Sequence, residues 1–382
     1  MKILHVIRSL NPSDGGPPNV AASLAAAQAA DGHSVAILGS ATGEDPTSVM
    51  QSLEDIPGLS TVRLLRLAPR GDGGVGGPPP PDVVPRAELG KLIASFDVLH
   101  IHAIWDPILI SAGRLARRAH VPYIITPHGM LDRWSLKQRR FKKTVALALY
   151  VRRHLNGAAG LHALNAPEEQ GIQRLRLKNR IQKIPNGVFL QHINPAANEP
   201  EVPRIVFLSR LHFKKGLDFL AEAFHLVSQE IPEAELVVVG PDHGARNAFE
   251  LHIKELNLSD RVRIVGPVFG TDKLTYIRDA TCFCLPSRQE GFSVAILEAL
   301  ACARPVVISK ACNFAEVGEA EAGFVVPLDP EIIADRLLIL LGDRAQALRM
   351  GGNGRALVEA RFTWEAISRQ MVQFYERCRV NR

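Results

Sequence analysis

The chain has 382 residues, 46% of them hydrophobic, too long for one ordinary domain and apolar enough for two cores. No run approaches the ~18 apolar residues of a spanning helix. The start MKILHVIRSL runs straight into a strand and is not read as a secretory leader, and the five cysteines lack zinc-finger spacing and are expected as small buried hydrophobes in a reducing cytoplasm. Net charge is +6, unevenly placed: residues 1–199 carry 23 Lys+Arg against 15 Asp+Glu, the rest 22 against 24. That asymmetry points to an anionic partner on one side, a membrane face rather than nucleic acid, because no nucleic-acid reader motif or basic-aromatic interleaving is present.

Lys2 to Ile7 reads as a buried strand, followed by a loop to Pro18, an alanine-rich helix from Val20 to Ala30 and a strand from Ser34 to Leu38. This β-loop-α-β pattern belongs to doubly wound sheets. The loop has no G-x-G-x-x-G, which disfavours a hydride cofactor, yet Gly15 and Gly16 let backbone approach a ligand closely at a helix start. Thr61 to Leu67 is a candidate strand. Residues 70–85, RGDGGVGGPPPPDVVP, are too rich in Gly and Pro for an element and read as an excursion. Phe96 to His102 resumes the sheet, with His100 and His102 on one side by the period of two. Together with Trp105 they end at the carboxyl edge, where α/β proteins bind ligands, so His102 and Trp105 are acceptor candidates. Tyr123 to Thr126 is a strand that ends in Pro127, His128 and Gly129, presenting His128 just past the sheet.

Residues 133–153 hold eight basic side chains and one apolar stripe at helical spacing (Phe141, Val145, Ala148, Val151, then Leu155). A basic amphipathic helix of this kind can lie on anionic lipid. Asn165-Ala-Pro-Glu-Glu starts a capped helix. A short, mostly apolar run at 158–163 and the stretch 181–184 with Pro185-Asn186-Gly187 close a first domain over residues 1–190, and the proline-bearing 189–202 is a linker.

The second domain, 203–360, opens with the strand Arg204 to Ser209. Arg210 and Lys215 stand around the loop after it, two cations that can neutralise a diphosphate, the arginine bidentately. Strands at 234–240 and 261–265 lead to Val268. Then comes LPSRQEGFSVAILEALACARP, 285–305, a strand end, a polar loop and a helix with Ser293 as N-cap. Helix-start N–H groups attract phosphate. Glu290 precedes the helix, and Glu298 lies ~7.5 Å along it from Ser293 at ~1.5 Å per residue. Carboxylates accept from sugar hydroxyl pairs, so the order reads hydroxyl, phosphate, hydroxyl, as in a nucleotide diphosphate-sugar. Trp364, Ile367, Met371, Phe374, Tyr375 and Cys378 form an apolar stripe on a last helix, 361–382.

EGFSVAILEA, Glu290 to Glu298, resembles the E-x7-E motif of the retaining glycosyltransferases of family 4, with support across nearly the whole chain. The resemblance implies the GT-B fold, two Rossmann-like doubly wound parallel-sheet α/β domains facing a cleft, with the last helix crossing back to the first domain. It implies an arginine-and-lysine phosphate clamp at Arg210 and Lys215, with Gly291, Phe292, Ser293 and Val294 supplying amides. Glu298 falls on the ribose, Val268 beside the base, Glu290 on the sugar, Gly15 and Gly16 in the glycine loop that closes over the donor phosphates and acceptor, and Gly323 to Pro327 in a short hairpin near the domain's end. His128 matches the histidine set against the transferred sugar, and 126–143 resembles members that build surface polysaccharides.

The expected activity is metal-independent, retaining transfer from a UDP- or GDP-sugar to a glycan or lipid-linked acceptor, by a cytoplasmic enzyme in peripheral contact with the membrane. No cofactor or nucleic acid is expected. The rivals are a non-catalytic sugar-nucleotide sensor, which has no need of His128, and a transferase acting on a small soluble acceptor. An oxidoreductase or epimerase would need a dinucleotide loop and a Tyr-x-x-x-Lys pair, and neither is present.

Overall fold

The computed structural model describes residues 1–11, 16–40, 53, 55–68, 80–132, 135–136, 140–195, 200–268 and 270–380. The chain divides into two units: Met1–Asn186 with Trp364–Arg382, and Gly187–Thr363.

The first unit is built on eight parallel strands: β1 Lys2–Val6, β2 Ser34–Ser40, β3 Arg63–Leu67, β4 Val83–Val84, β5 Val98–His102, β6 Tyr123–Thr126, β7 Gly160–Ala163 and β8 Arg180–Lys183. Their order is 4-3-2-1-5-6-7-8. The central strands are buried along their length and read as near-continuous apolar runs, the pattern of a parallel sheet covered on both faces. The order reverses between β1 and β5, so the loops after those strands open at the switch point where such sheets bind ligands. The helix Trp364–Val380 belongs to this unit and buries the whole stripe from Trp364 to Cys378. Gly160 makes room for it, because a Cβ there would collide with the Phe374 ring.

The second unit has six parallel strands in the order 11-10-9-12-13-14: β9 Arg204–Leu208, β10 Glu235–Val239, β11 Val262–Gly266, β12 Cys282–Leu285, β13 Val306–Ser309 and β14 Gly323–Val326. Its switch point lies between β9 and β12, the strands that lead into 209–216 and 286–293. Each unit has its own apolar core.

Four local expectations need correction. The first helix spans Gly16–Ala30 and takes Pro17 and Pro18 into its first turn, where the missing N–H groups would have no helical partner; Gly15 lies outside the described residues. Val83–Val84, inside the Gly/Pro-rich stretch, pairs with β3 as an edge strand, fastened by Arg66 Nε to Asp82 Oδ2 at 2.6 Å. Gly323–Val326 is no hairpin: it pairs in parallel with β13, and Gly323 permits the approach because a Cβ would strike the Val306 backbone. Within 133–153, Arg140–Ala146 is α-helical and Leu147–Val151 is a π-turn. That wider turn shifts the phase of the apolar stripe. Val151 and Leu155 are buried, while Phe141 is 83% exposed; residues 133–134 and 137–139 lie outside the described residues.

All five cysteines are free and buried, as their spacing predicts. Among the described residues no helix is long and apolar enough to cross a membrane.

Candidate active site

The second unit gathers its chemistry at the β9/β12 switch point. After β9 the chain makes a single 3-10 turn, Phe213–Lys215, capped by His212, whose Nδ1 accepts from the Lys214 N–H at 3.1 Å. Gly216 follows at φ +69°, and a Cβ there would run into the Pro286 carbonyl oxygen. Only glycine therefore allows the 213–216 loop to lie against the 286–290 loop. The two are stitched together by Arg288, whose backbone N–H donates to the Lys214 carbonyl at 2.6 Å. Its guanidinium bonds Asp218 Oδ1 at 2.6 Å and stacks over Phe213 at 4.2 Å.

This packing brings Lys215 onto Glu290. Lys215 Nζ donates to Glu290 Oε1, and the Ser287 hydroxyl donates to the same oxygen at 2.9 Å. Both side chains are largely buried, at 12% and 9% exposure. A third loop holds the backbone of Glu290: its N–H donates to Ala311, and Asn313 Nδ2 donates to its carbonyl at 2.9 Å.

The helix Val294–Ala301 begins at Ser293, which occupies the N-cap position in extended conformation but makes no side-chain cap. Its hydroxyl therefore does not compete for the amides that open the helix, groups that have no intrahelical partner. The Phe292 ring is turned onto Phe314, centroids 5.2 Å apart, so this residue offers a ligand its backbone. Glu298, 8% exposed, is paired with Lys273 Nζ at 2.7 Å. Arg210 is exposed and has no hydrogen-bond or ion-pair partner among the described residues. Val268 is half-buried at the end of the loop after β11.

In the first unit, Ala103 and His128 both adopt left-handed backbone, at φ +75° and +54°, followed by Gly129 at +74°. Non-glycine residues in this region cost energy that the surroundings must supply. Glu168 fastens the residue after His128: Oε1 accepts from the Gly129 N–H at 2.6 Å and Oε2 from the Leu164 N–H at 2.8 Å. Burial pushes the Glu168 carboxyl up to about 7, against the two N–H donors, which favour its ionised form.

His128 is half-buried, and its Nε2 lies 3.0 Å from His102 Nδ1. His102, expected to touch acceptor, is 1% exposed and also bonded to His5 through Nε2 at 2.9 Å. With both ring nitrogens occupied it stands behind His128 and has no free ring nitrogen to offer a ligand. Its ring stacks on His100 at 4.3 Å, so the two do share a side of β5. Burial lowers the titration of His5 and His162 to about 4 and of His128 to about 3. His100 and His102 are held well below the ordinary value by the same cause. These rings are neutral at pH 7. Trp105 carries the Lys143 ammonium 5.5 Å from its ring, and its indole N–H has no acceptor among the described residues. Gly16 is exposed at the start of its helix.

Sequence reasoning missed Lys273 and the part played by Glu168. Lys273 is an ordinary lysine of a short helix, and nothing in the chain ties it to a glutamate 25 positions on. Glu168 had a signal in Asn-x-x-Glu, since Asn165 Oδ1 does cap the Glu168 N–H at 2.9 Å. A capping-box glutamate turns back to its own helix, whereas this one reaches across to the His128 turn.

Residues 202–343 match the family model for glycosyl transferases group 1, and residues 15–187 that for the glycosyl transferase 4-like domain. The chain is 29% identical to a phosphatidyl-myo-inositol mannosyltransferase of Mycobacterium tuberculosis over 294 residues, 74% of each chain. It is 25% identical over 300 residues to a GDP-mannose-dependent monoacylated alpha-(1-6)-phosphatidylinositol monomannoside mannosyltransferase of Corynebacterium glutamicum, covering 71% of this chain and 74% of that one. Among solved structures, a sucrose-phosphate synthase of Thermosynechococcus elongatus superposes with a TM-score of 0.72 at 24% identity, covering 98% of both chains.

Proposed function

The chain belongs to the group 1, family 4-like glycosyltransferases with the GT-B fold, and on that premise we propose that it moves a hexose from a nucleoside diphosphate-sugar to a lipid-linked or glycan acceptor. The observation that carries this reading is the buried Lys215–Glu290 pair in the loops that lead to the helix Val294–Ala301. A lysine and a carboxylate held together at a helix start suit a ligand with phosphate on one side and hydroxyls on the other. Lys215, Arg210 and the amides of 291–294 take the diphosphate, Glu290 the sugar hydroxyls, Glu298 the ribose, and backbone at Val268 flanks the base. Within the first unit, His128 is assigned to the transferred sugar, Trp105 to the acceptor, and Gly15 and Gly16 to the glycine loop.

As the anomeric C–O bond breaks, charge gathers on the leaving diphosphate. The cations and helix-start amides stabilise that charge, each donor being worth about 10²–10³ in rate. The acceptor oxygen then bonds the anomeric carbon on the face just vacated, its proton passes to a leaving phosphate oxygen, and the products are a nucleoside diphosphate and a glycoside of retained configuration. Transfer proceeds without a metal, Lys215 and Arg210 taking the neutralising role, and is undiminished by chelator. Because two mannosyltransferases are among the relatives, GDP-mannose is the first donor to test. At a concentration 100-fold above Kd it should stabilise the fold by about 2.7 kcal/mol, read as a rise in Tm, and its slow hydrolysis should vanish in Glu290→Ala. A panel of sugar nucleotides that leaves Tm unmoved would refute the donor site.

The first unit also offers a face for anionic lipid. Arg114, Arg117, Arg118 and Arg153 line a cavity of about 450 Å³ with Leu149 and Tyr150, and Leu149 is 73% exposed. Basic heads around projecting apolar side chains suit peripheral attachment to the inner membrane face, where each Arg is worth about 1 kcal/mol. In liposome flotation, anionic vesicles should carry far more protein than neutral ones. Changing Arg114, Arg118 and Arg153 to Ala should weaken that binding about a hundredfold, ~3 kcal/mol; equal recovery with both vesicle types would sink the membrane reading.

A further inference from the structure

Behind His128 runs an unbroken series of hydrogen bonds, all within the first unit. His128 Nε2 meets His102 Nδ1 at 3.0 Å, His102 Nε2 meets His5 Nδ1 at 2.9 Å, and His5 Nε2 meets Gln28 Oε1 at 2.7 Å. Gln28 Nε2 donates to the Tyr375 hydroxyl at 3.2 Å, and that hydroxyl meets His100 Nδ1 at 2.6 Å. His100 Nε2 meets Thr126 Oγ1 at 2.6 Å, Thr126 Oγ1 meets His162 Nδ1 at 2.6 Å, and His162 Nε2 meets the Ile184 carbonyl at 2.7 Å.

The far end fixes every proton in the series. A carbonyl oxygen only accepts, so His162 carries its proton on Nε2 and its Nδ1 is bare. Thr126 must then donate to His162 and accept from His100 Nε2–H. His100 Nδ1 is bare in turn, so Tyr375 donates to it and accepts from the Gln28 amide. Gln28 therefore shows its oxygen to His5, which donates from Nε2 and accepts at Nδ1 from His102. His102 accepts at Nδ1 from His128 Nε2–H. With neutral rings this is the arrangement that puts one proton in each contact. Turning the Gln28 amide round leaves the Thr126–His162 contact without one, because the hydroxyl proton would then be drawn to His100.

We propose that this nine-residue series locks His128 as the Nε2–H tautomer and presents its Nδ1 lone pair as a fixed acceptor for a substrate hydroxyl. His128 Nδ1 has no partner among the described residues and is not among the buried unsatisfied atoms. His102, His5, Gln28, Tyr375, His100, Thr126 and His162 are positioning residues that act through one another. The series ends on a carbonyl, which cannot take a proton onward at neutral pH, so it orients and does not relay. It follows that the hydroxyl at His128 must be a donor, and that a substrate deoxygenated or methylated there loses the contact. The substrate's identity rests on the proposed transferase activity; the tautomer does not, which makes the two separable.

His5, His100 and His102 also lie close enough together to ligate a metal ion. Each of their ring nitrogens is already engaged in the series, so a metal would have to break it.

The test is long-range imidazole ¹H–¹⁵N NMR on the full chain without substrate. His128 should show the Nε2–H tautomer in at least about tenfold excess, the ratio that one hydrogen bond of ~1.4 kcal/mol imposes. Tyr375→Phe, remote from His128, should bring the two tautomers to within about threefold of each other. Thr126→Val cuts the same series should Tyr375→Phe not fold, and Thr126→Ser should restore the excess. An Nδ1–H or evenly mixed His128 in the parent chain, a ratio unmoved in the folded cut variant, or one equivalent of Zn²⁺ taken up by His5, His100 and His102 would each overturn the proposal.

Discussion

Lys215→Ala is expected to cut kcat by about 10²–10³ and to destabilise the second unit by about 3–5 kcal/mol. The two losses have different origins. The first is the absence of a cation where the leaving diphosphate develops charge. The second is the stranding of Glu290, whose side chain is 9% exposed and, among the described residues, keeps the Ser287 hydroxyl as its one hydrogen-bond donor. Removing both members of a buried pair costs less than removing one, because no lone charge remains in low dielectric. Lys215→Ala with Glu290→Ala should therefore recover most of the lost Tm and none of the activity. Urea unfolding of both single variants and the double, beside single-turnover transfer rates, closes the cycle. A double variant as unstable as Lys215→Ala alone would mean that the lysine stabilises by packing its stem and not by neutralising Glu290. A Lys215→Ala chain transferring at the parental rate would remove Lys215 from the phosphate site.

The parts of the fold that rest on apolar periodicity were legible from the chain. The parallel strands and the final helix are apolar runs or stripes that have one way to be buried, and the stripe from Trp364 to Cys378 is buried in full. The local errors came where a different physics decides. A π-turn at Leu147–Val151 adds a residue to a turn and rotates every later side chain, which no count of helical spacing anticipates. Gly323–Val326 has the composition of a turn, and only its neighbour β13 decides that it is a strand.

At the candidate site, Glu290, Glu298 and Lys215 stood out together, through the Gly-Phe-Ser turn between the glutamates and the likeness to a known motif, since each charge alone reads as an ordinary solvated side chain. Lys273 and Glu168 did not, since their roles exist only in contacts with distant segments. The histidines are an intermediate case. His100 and His102 share a face by simple alternation, but His5, Gln28, His162 and Tyr375 join them across four further elements. A lone histidine or tyrosine in an apolar run carries no mark of its partner.

Those histidines give the first unit a second large expected effect, acid lability. Four of them, His5, His100, His102 and His162, and with them His154 of the helix Arg152–Asn156, are at most 3% exposed. Burial lowers their titration, to about 4 for His5, His154 and His162 and well below the ordinary value for His100 and His102. The folded state therefore refuses protons that the unfolded chain binds at about 6.5. Stability is full above pH ~6.5 and falls as pH drops below it, with each group losing about 1.4 kcal/mol by pH ~5.5. The five together lose about 7 kcal/mol. Glu168 works the other way: its folded value of about 7 exceeds the model-compound 4.5, so the folded state gains a proton on acidification and recovers about 2 kcal/mol over the same interval. A net loss of about 5 kcal/mol by pH ~5.5, steepening below, exhausts the ~5–15 kcal/mol of an ordinary domain between pH ~5.5 and ~4.5. Far-UV circular dichroism across pH 7 to 4, with potentiometric proton counting, should show one cooperative loss of structure taking up about four or more protons. A chain folded at pH 4, or one that unfolds with a single proton, would mean that the buried rings are not held neutral by burial in the folded chain.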